Sequence, residues 1–152
     1  MRNIIVKEVA KHVARLALED ALGGAAGPIL NAIEIASWVH DYAPYILAYA
    51  DAPKELEELR QAVATPAIGY EIHHIVEQGP ARLDGFPTSS IDAPDNLVRI
   101  PTLKHWQITG WYARRNDQFG GLPPREYLRG KDWAERMRVG RDALIEYGVL
   151  KP

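Results

Sequence analysis

The first half of the chain distributes apolar and polar residues with the period of an α-helix. Apolar side chains recur three or four positions apart over residues 4–22, with charged residues between them, which predicts an amphipathic helix. The same spacing predicts further helices over residues 28–40, 44–50 and 53–63. Asp51 is the expected N-cap of the last of these. Pro66 breaks the pattern, so residues 1–67 are expected to form a helical N-terminal region.

Beyond this break the pattern changes. Residues 68–76 are rich in β-branched and aromatic side chains, which favours a strand, and residues 79–95 have the glycine, proline and aspartate content of a loop. A second strand over residues 96–100 leads into a helix over residues 103–115, with Thr102 as its cap. Two more helices are predicted over residues 124–128 and 131–147, the second closed by Gly148. The order of elements predicts an α+β fold.

Composition adds few constraints. The 152 residues contain 47% hydrophobic and 25% charged side chains, which is ordinary for a globular protein. Cysteine is absent, so a disulfide framework is excluded and any metal ligands must come from His, Asn, carboxylates or water. The chain opens without the basic and apolar segments of a classical signal peptide. Polar residues interrupt the apolar stretch over residues 28–50, so we expect no membrane span.

The formal net charge of −2 is unevenly distributed. Residues 1–69 carry 6 Lys and Arg against 9 Asp and Glu, whereas residues 70–152 carry 12 against 11. Basic residues of the second half either line one face toward phosphate or belong to a solvated surface of mixed charge. These residues are Arg114, Arg115, Arg125, Arg129, Lys131, Arg136, Arg138 and Arg141.

The candidate chemistry lies in the first predicted strand, where His73 and His74 are adjacent within an apolar run. A buried imidazole needs partners for its two nitrogens, and a metal ion and a reacting water would supply them. Successive side chains on a strand point to opposite faces, so one histidine can address a metal and the other a water. Glu71 shares a face with His73, and His105 occupies the first turn of the following helix.

Residues 69–112 resemble the HNH nuclease superfamily. The resemblance rests on the run His73-His74-Ile75-Val76, on Asn96 at the second strand and on His105 in the helix. It is closest to the nuclease domains of bacterial polymorphic toxins. It implies a ββα-metal core over residues 68–152, with additional C-terminal helices.

The resemblance implies a role for each matching residue. His73 and His105 would bind one divalent metal, His74 would act as the general base, and Asn96 would orient the base loop or reach the metal. Where family members place a further histidine ligand, this chain has Thr109, so the third ligand is left open between Glu71, Asn96 and water. Histidine ligands suit zinc or nickel, whereas oxygen ligands suit magnesium or manganese.

Some of these residues also have structural interpretations. Asn96 is also suited to capping a turn after Pro94 and Asp95. Trp106, Trp111 and Tyr112 are expected to pack in the core. Arg114 and Arg115 are candidates for substrate phosphate contacts, although arginines at a helix C-terminus also stabilise the helix dipole.

The expected activity is metal-dependent endonucleolytic hydrolysis of DNA, with RNA as an alternative substrate. The resemblance implies a secreted effector that acts in the cytoplasm of a target bacterium and is neutralised by a cognate immunity protein. Residues 1–67 would then be a support region or a delivery segment. Two other interpretations are a phage-encoded or restriction-associated HNH endonuclease and a non-catalytic interaction module stabilised by metal.

Overall fold

A computed structural model describes Ser37 and residues 40–152. Contacts between Cα atoms divide the chain into two compact units, Met1–Ala43 and Pro44–Pro152. The helix predicted over residues 4–22 and most of the one predicted over residues 28–40 lie outside the described residues. Residues 44–67 belong to the same unit as the strands, and the functional boundary after residue 67 stays a prediction.

Within residues 44–69, two helical segments precede the sheet. Residues 44–49 are helical, and α1 spans Leu56–Gln61, followed by the 3-10 turn Ala62–Ala64. The Glu58 carboxylate accepts a hydrogen bond from the Glu55 amide at the start of α1, 2.8 Å away. The prediction that Asp51 caps this helix is therefore wrong.

The Asp51 carboxylate instead accepts hydrogen bonds from Lys54 Nζ at 2.7 Å and from the Tyr70 hydroxyl at 2.8 Å. The pKa of Asp51 is lowered, because these hydrogen bonds outweigh the opposing effect of burial, which is the largest single contribution. Its carboxylate thus ties the segment before α1 to the first strand.

The sheet has two antiparallel strands, β1 at Tyr70–His74 and β2 at Leu97–Pro101. In their register His73 is opposite Val98 and His74 is opposite Leu97. Side chains alternate along β1, so the face that holds His73 also holds Glu71, while His74 lies on the other face. Together with the helices, this sheet confirms the predicted α+β class.

The segment between the strands is not the loop that its glycine and proline content predicted. It contains two short helices, α2 at Gln78–Leu83 and α3 at Thr88–Ile91, and then the 3-10 turn Pro94–Asn96. Pro80 lies in the first turn of α2, where a missing amide hydrogen costs no intrahelical bond. The glycine and proline content of this segment did not predict its structure, because proline also suits the first turn of a helix.

Helix α4 spans Thr102–Ala113 and follows β2 without an intervening residue. The amide of Thr102 donates to the Gly69 carbonyl at 2.9 Å, and its buried hydroxyl has no hydrogen-bond partner. Thr102 therefore does not cap the helix as predicted. The hydrogen bond from the Thr102 amide to Gly69 instead continues the strand pairing, which ends at Tyr70 and Pro101, and so fixes where Thr102 lies.

Two helices complete the chain, α5 at Pro124–Tyr127 and α6 at Trp133–Glu146. The Asp132 carboxylate caps α6 by accepting from the Glu135 amide at 2.9 Å. Gly148 follows α6 with a φ of +62°, as its predicted role at the helix end requires. The main core forms where β2, α4 and α6 meet, and it includes Val98, Ile100, Ile108, Val139 and Leu144.

None of the helices in the described part of the chain combines the length and apolarity that crossing a membrane requires.

The backbone of α6 approaches the end of β1 closely at Gly140. A Cβ atom added there would lie 2.1 Å from the carbonyl oxygen of Ile75, the residue after His74. Only glycine allows this approach, so the contact fixes the position of the chain next to the two histidines.

We predict that Gly140→Ala lowers the free energy of unfolding by about 3 kcal/mol or more, because neither backbone can move aside cheaply. Gly110→Ala is the matched control, since a Cβ there would meet only Arg114 Nη2 at 3.7 Å within α4. It should be neutral or stabilising by up to about 1 kcal/mol. Urea unfolding of both variants measures the difference, and equal stability would contradict the assignment.

Candidate functional site

An open cleft with a volume of about 270 Å³ lies where the end of β1 meets α4 and α5. We call it the histidine cleft. Strand β1 supplies two adjacent histidines, the start of α4 supplies a third, and α5 supplies an arginine. The titratable side chains that line it are His73, His74, Glu77, His105, Tyr112 and Arg125.

His73 is the buried histidine of the cleft, with 5% of its surface exposed. Burial, followed by the proximity of His105 and His74, lowers the pKa of its imidazole to about 3. The ring is therefore neutral near pH 7. Its Nε2 atom is buried and has no hydrogen-bond partner, which is costly for a polar group unless something else satisfies it.

His105 faces His73 from the first turn of α4, with the two ring centroids 4.9 Å apart. Its Nδ1 atom lies 2.7 Å from Glu71 Oε2, and because a carboxylate only accepts, Nδ1 carries the proton. This leaves Nε2 as the ring nitrogen with a free lone pair. Glu71 was predicted as a metal ligand; here it orients His105, as outer carboxylates do around metal-binding histidines.

His74 lies on the opposite face of β1 and is half-buried. Its Nε2 atom lies 3.1 Å from Asp92 Oδ1, which also accepts from Gln78 Nε2 at 3.1 Å. The hydrogen bond from His74 and then the one from Gln78 hold the pKa of Asp92 below its usual value. Since Nε2 donates, Nδ1 of His74 is the nitrogen that can accept a proton. The sequence had not suggested Asp92 as its partner.

Asn96 lies at the end of the 3-10 turn, one residue before β2, and only 1% of its surface is exposed. Its Oδ1 accepts from the Val76 amide at 2.7 Å, and Nδ2 donates to the carbonyls of Ile91 at 2.8 Å and Val76 at 3.2 Å. Both polar atoms are thus engaged with backbone. The side chain orients the segment after His74 and does not extend into the histidine cleft.

Arg114 and Arg115, the predicted phosphate contacts, are exposed at the end of α4 and do not line the histidine cleft. Arg125 lines it instead, and its guanidinium binds both carboxylate oxygens of Glu77, from Nε at 3.0 Å and from Nη2 at 2.5 Å. Sequence patterns placed Arg125 among eight candidate basic residues of the second half, and nothing in the sequence singled it out. No local pattern links it to Glu77, which lies 48 positions earlier.

Other basic residues of the second half are committed elsewhere. Arg136 is 2% exposed and forms an ion pair with Asp84, while its guanidinium also donates to the Leu128 carbonyl at 2.7 Å. Arg138 binds Glu135 and Asp142 on the surface of α6. These arginines therefore do not form a single basic face toward phosphate. Arg138 belongs to a surface of mixed charge, which was the alternative prediction.

The fit of a divalent cation depends on His73 and His105. The buried, unpartnered Nε2 of His73 is suited to a metal ion, since metal ligation needs the neutral imidazole. Thr109, one turn after His105, uses its hydroxyl to donate to the His105 carbonyl at 3.0 Å. Within Ser37 and residues 40–152, no three His, Cys, Asp or Glu side chains are grouped as a metal site. Water would have to complete the coordination of any bound ion.

Comparison of the chain with protein-family models, with curated proteins and with solved structures found no match.

We predict that Asn96→Ala lowers the free energy of unfolding by about 3 kcal/mol, because one buried amide and two carbonyls lose their partner. Asn116→Ala is the control, since its side chain accepts only the Gln118 amide at 3.0 Å on the surface and should cost about 1 kcal/mol. Denaturant unfolding compares the two. A loss of stability for Asn96→Ala no larger than for the control would show that these contacts do not hold the segment between the strands in place.

Proposed function

We propose that this chain is a metal-dependent endonuclease of HNH type that hydrolyses phosphodiester bonds of DNA. The observation that carries the proposal is the pairing of two imidazole rings, His73 and His105, whose centroids lie 4.9 Å apart in a cleft that also contains His74. The antiparallel pair β1 and β2, followed directly by α4, is the element order that the resemblance implies for a ββα-metal core, with α2 and α3 inserted between the strands.

His73 and His105 would hold the metal through their Nε2 atoms. The chemistry that a divalent cation supplies when bound there is positive charge against the phosphate and the leaving oxygen. His74, oriented by Asp92, accepts a proton from water through Nδ1. The water oxygen forms a bond to phosphorus, one P–O ester bond breaks, and the departing oxygen takes a proton from solvent.

The charge of the surroundings also favours a cation. Glu71 contacts His105, Asp92 contacts His74, and Glu77 lines the cleft, whereas Arg125 is the cationic side chain that lines it. Carboxylates thus outnumber arginines around the three imidazoles. A polyanion approaches such a cleft favourably only after positive charge has been added, so we expect nucleic acid binding there to depend on the divalent ion.

The biological setting follows from the resemblance to toxin nuclease domains. We propose an effector that acts in the cytoplasm of a target bacterium, with an immunity protein as its partner in the producing cell. Residues 1–67 would support or deliver the nuclease. Expression with and without the adjacent open reading frame tests this setting.

Incubation of supercoiled plasmid with the purified chain and Mg²⁺, Mn²⁺, Ni²⁺ or Zn²⁺ tests the activity. We expect nicking with at least one ion, and a rate loss on the order of 10² to 10⁴ in His74→Ala. Calorimetric titration should show that His74→Ala still binds the ion, whereas His73→Ala does not. Parallel digestion of RNA decides between the two substrates.

His40→Ala is the control for these measurements, because His40 is exposed and is not among the residues that line the histidine cleft. It should cut DNA at the rate of the unaltered chain. Equal cutting by all variants would identify a contaminating nuclease. Metal binding without any cutting would instead favour the non-catalytic, metal-stabilised module.

Asp92→Asn should reduce cleavage by roughly tenfold to a hundredfold, as changes in groups that orient a functional imidazole do. The amide would donate to Nε2 of His74 and shift the ring proton to Nδ1, the nitrogen required as base. Nitrogen-15 chemical shifts of His74 report this tautomer change directly. Asp95→Asn, an exposed neighbour on the same segment, should alter neither rate nor tautomer.

An unchanged His74 tautomer together with unchanged cleavage in Asp92→Asn would remove Asp92 from the mechanism.

A further inference from the structure

We propose that Arg125 and Tyr112 form a subsite in the histidine cleft that binds a phosphate diester of the nucleic acid strand, with Glu77 holding the guanidinium in place. This inference rests on the proposed function, because it assigns the position of the substrate backbone next to His73 and His74. It replaces Arg114 and Arg115 as the phosphate contacts.

The guanidinium of Arg125 is fixed but not fully occupied. Glu77 accepts one hydrogen bond from Nε and one from Nη2, which leaves the two N–H groups of Nη1 and the second N–H of Nη2 for another acceptor. About 40% of the Arg125 side chain is exposed, against 15% for Glu77. The carboxylate is therefore the more buried anchor, and the arginine presents its remaining donors at the cleft.

Tyr112 gives an independent indication of a missing ligand. Its side chain lines the same cleft and is 1% exposed, and its buried hydroxyl has no hydrogen-bond partner. Burial raises the pKa of this hydroxyl, and the nearby Glu77 raises it further, so the group stays protonated and can donate. A buried donor without an acceptor is unfavourable, and an anionic oxygen would satisfy it.

The two groups together favour phosphate over other ligands. A guanidinium can only donate hydrogen bonds, and a protonated tyrosine hydroxyl donates most strongly to an anionic oxygen. The ligand that suits both groups is therefore an anion with several acceptor oxygens. A phosphate diester carries two non-bridging anionic oxygens, so it offers an acceptor to each of two donors that line one cleft. A phosphate placed here would lie in the same cleft as the two adjacent histidines of β1.

The test measures binding separately from cleavage. In a His74→Ala background, the anisotropy of a fluorescein-labelled DNA duplex is followed across a KCl series at fixed Mg²⁺. Arg125→Ala should weaken binding roughly tenfold or more and reduce the slope of log affinity against log salt by about 0.9, the value for one phosphate contact. Arg129→Ala, which removes the same charge from an exposed position near α5, should change both much less.

Two further variants guard against simple misfolding. Tyr112→Phe removes only the hydroxyl and should weaken binding severalfold with the salt slope unchanged. Arg125→Lys keeps the charge and loses the fork, so it should keep most of the slope while losing affinity. Equal affinity and slope for Arg125→Ala and Arg129→Ala would overturn the subsite.

Inorganic phosphate is titrated against the same complexes. If it displaces DNA only at concentrations far above that of the duplex, and less effectively from Arg125→Ala, the subsite belongs to a nucleic acid backbone. Binding of free phosphate as tightly as DNA would overturn that assignment. A positive binding result without plasmid cleavage would reject the nuclease and keep the subsite, whereas cleavage that is independent of Arg125 would do the reverse.

Discussion

The geometry of the histidine cleft depends on one buried side chain, Asn96. Its side-chain amide forms hydrogen bonds with the backbone of Val76 and Ile91, and its main-chain carbonyl accepts a hydrogen bond from the Ile75 amide at 2.9 Å. These bonds join the two ends of the segment between the strands, residues 75–96, and so fix the direction in which the chain leaves β1. His74 is the last residue of that strand, and its orientation toward Asp92 follows from this constraint. Three backbone groups of this segment, the Val76 amide and the carbonyls of Val76 and Ile91, thus find their partner in one side chain.

The alternation of a strand gives two neighbouring histidines different environments. His73 faces α4, is almost fully buried and stays uncharged, whereas His74 faces the segment between the strands and keeps contact with solvent and with a carboxylate. A dry imidazole suits ligation, and a solvated one suits exchange of protons with water. The fold thus gives two consecutive residues the two environments that the proposed division of roles requires. Glu71 extends the same alternation by reaching His105 from the face of His73.

Local sequence patterns predicted the strands, α4 and the final helix, because their apolar periods and flanking residues agree with the packing they enter. The segment between the strands was wrongly predicted as a loop. Proline is common both in loops and in the first turn of a helix, so the local sequence around Pro80 did not distinguish the two. Contacts over long sequence separations were beyond such patterns. Asp92 meets His74 across 18 positions, and Arg125 meets Glu77 across 48. His73 and His74 were found because two adjacent imidazoles in an apolar run require an explanation, and His105 by its place in the following helix, whereas a single arginine among many gives no such signal.

The close seating of Gly140 against Ile75 couples the cleft to the last helix of the chain. During synthesis, every side chain of the cleft, Arg125 included, is added to the chain before Trp133, where that helix begins. The nascent polypeptide therefore contains the cleft side chains before it contains the helix against which β1 ends. Translation order alone delays assembly of the cleft until the final helix has been made.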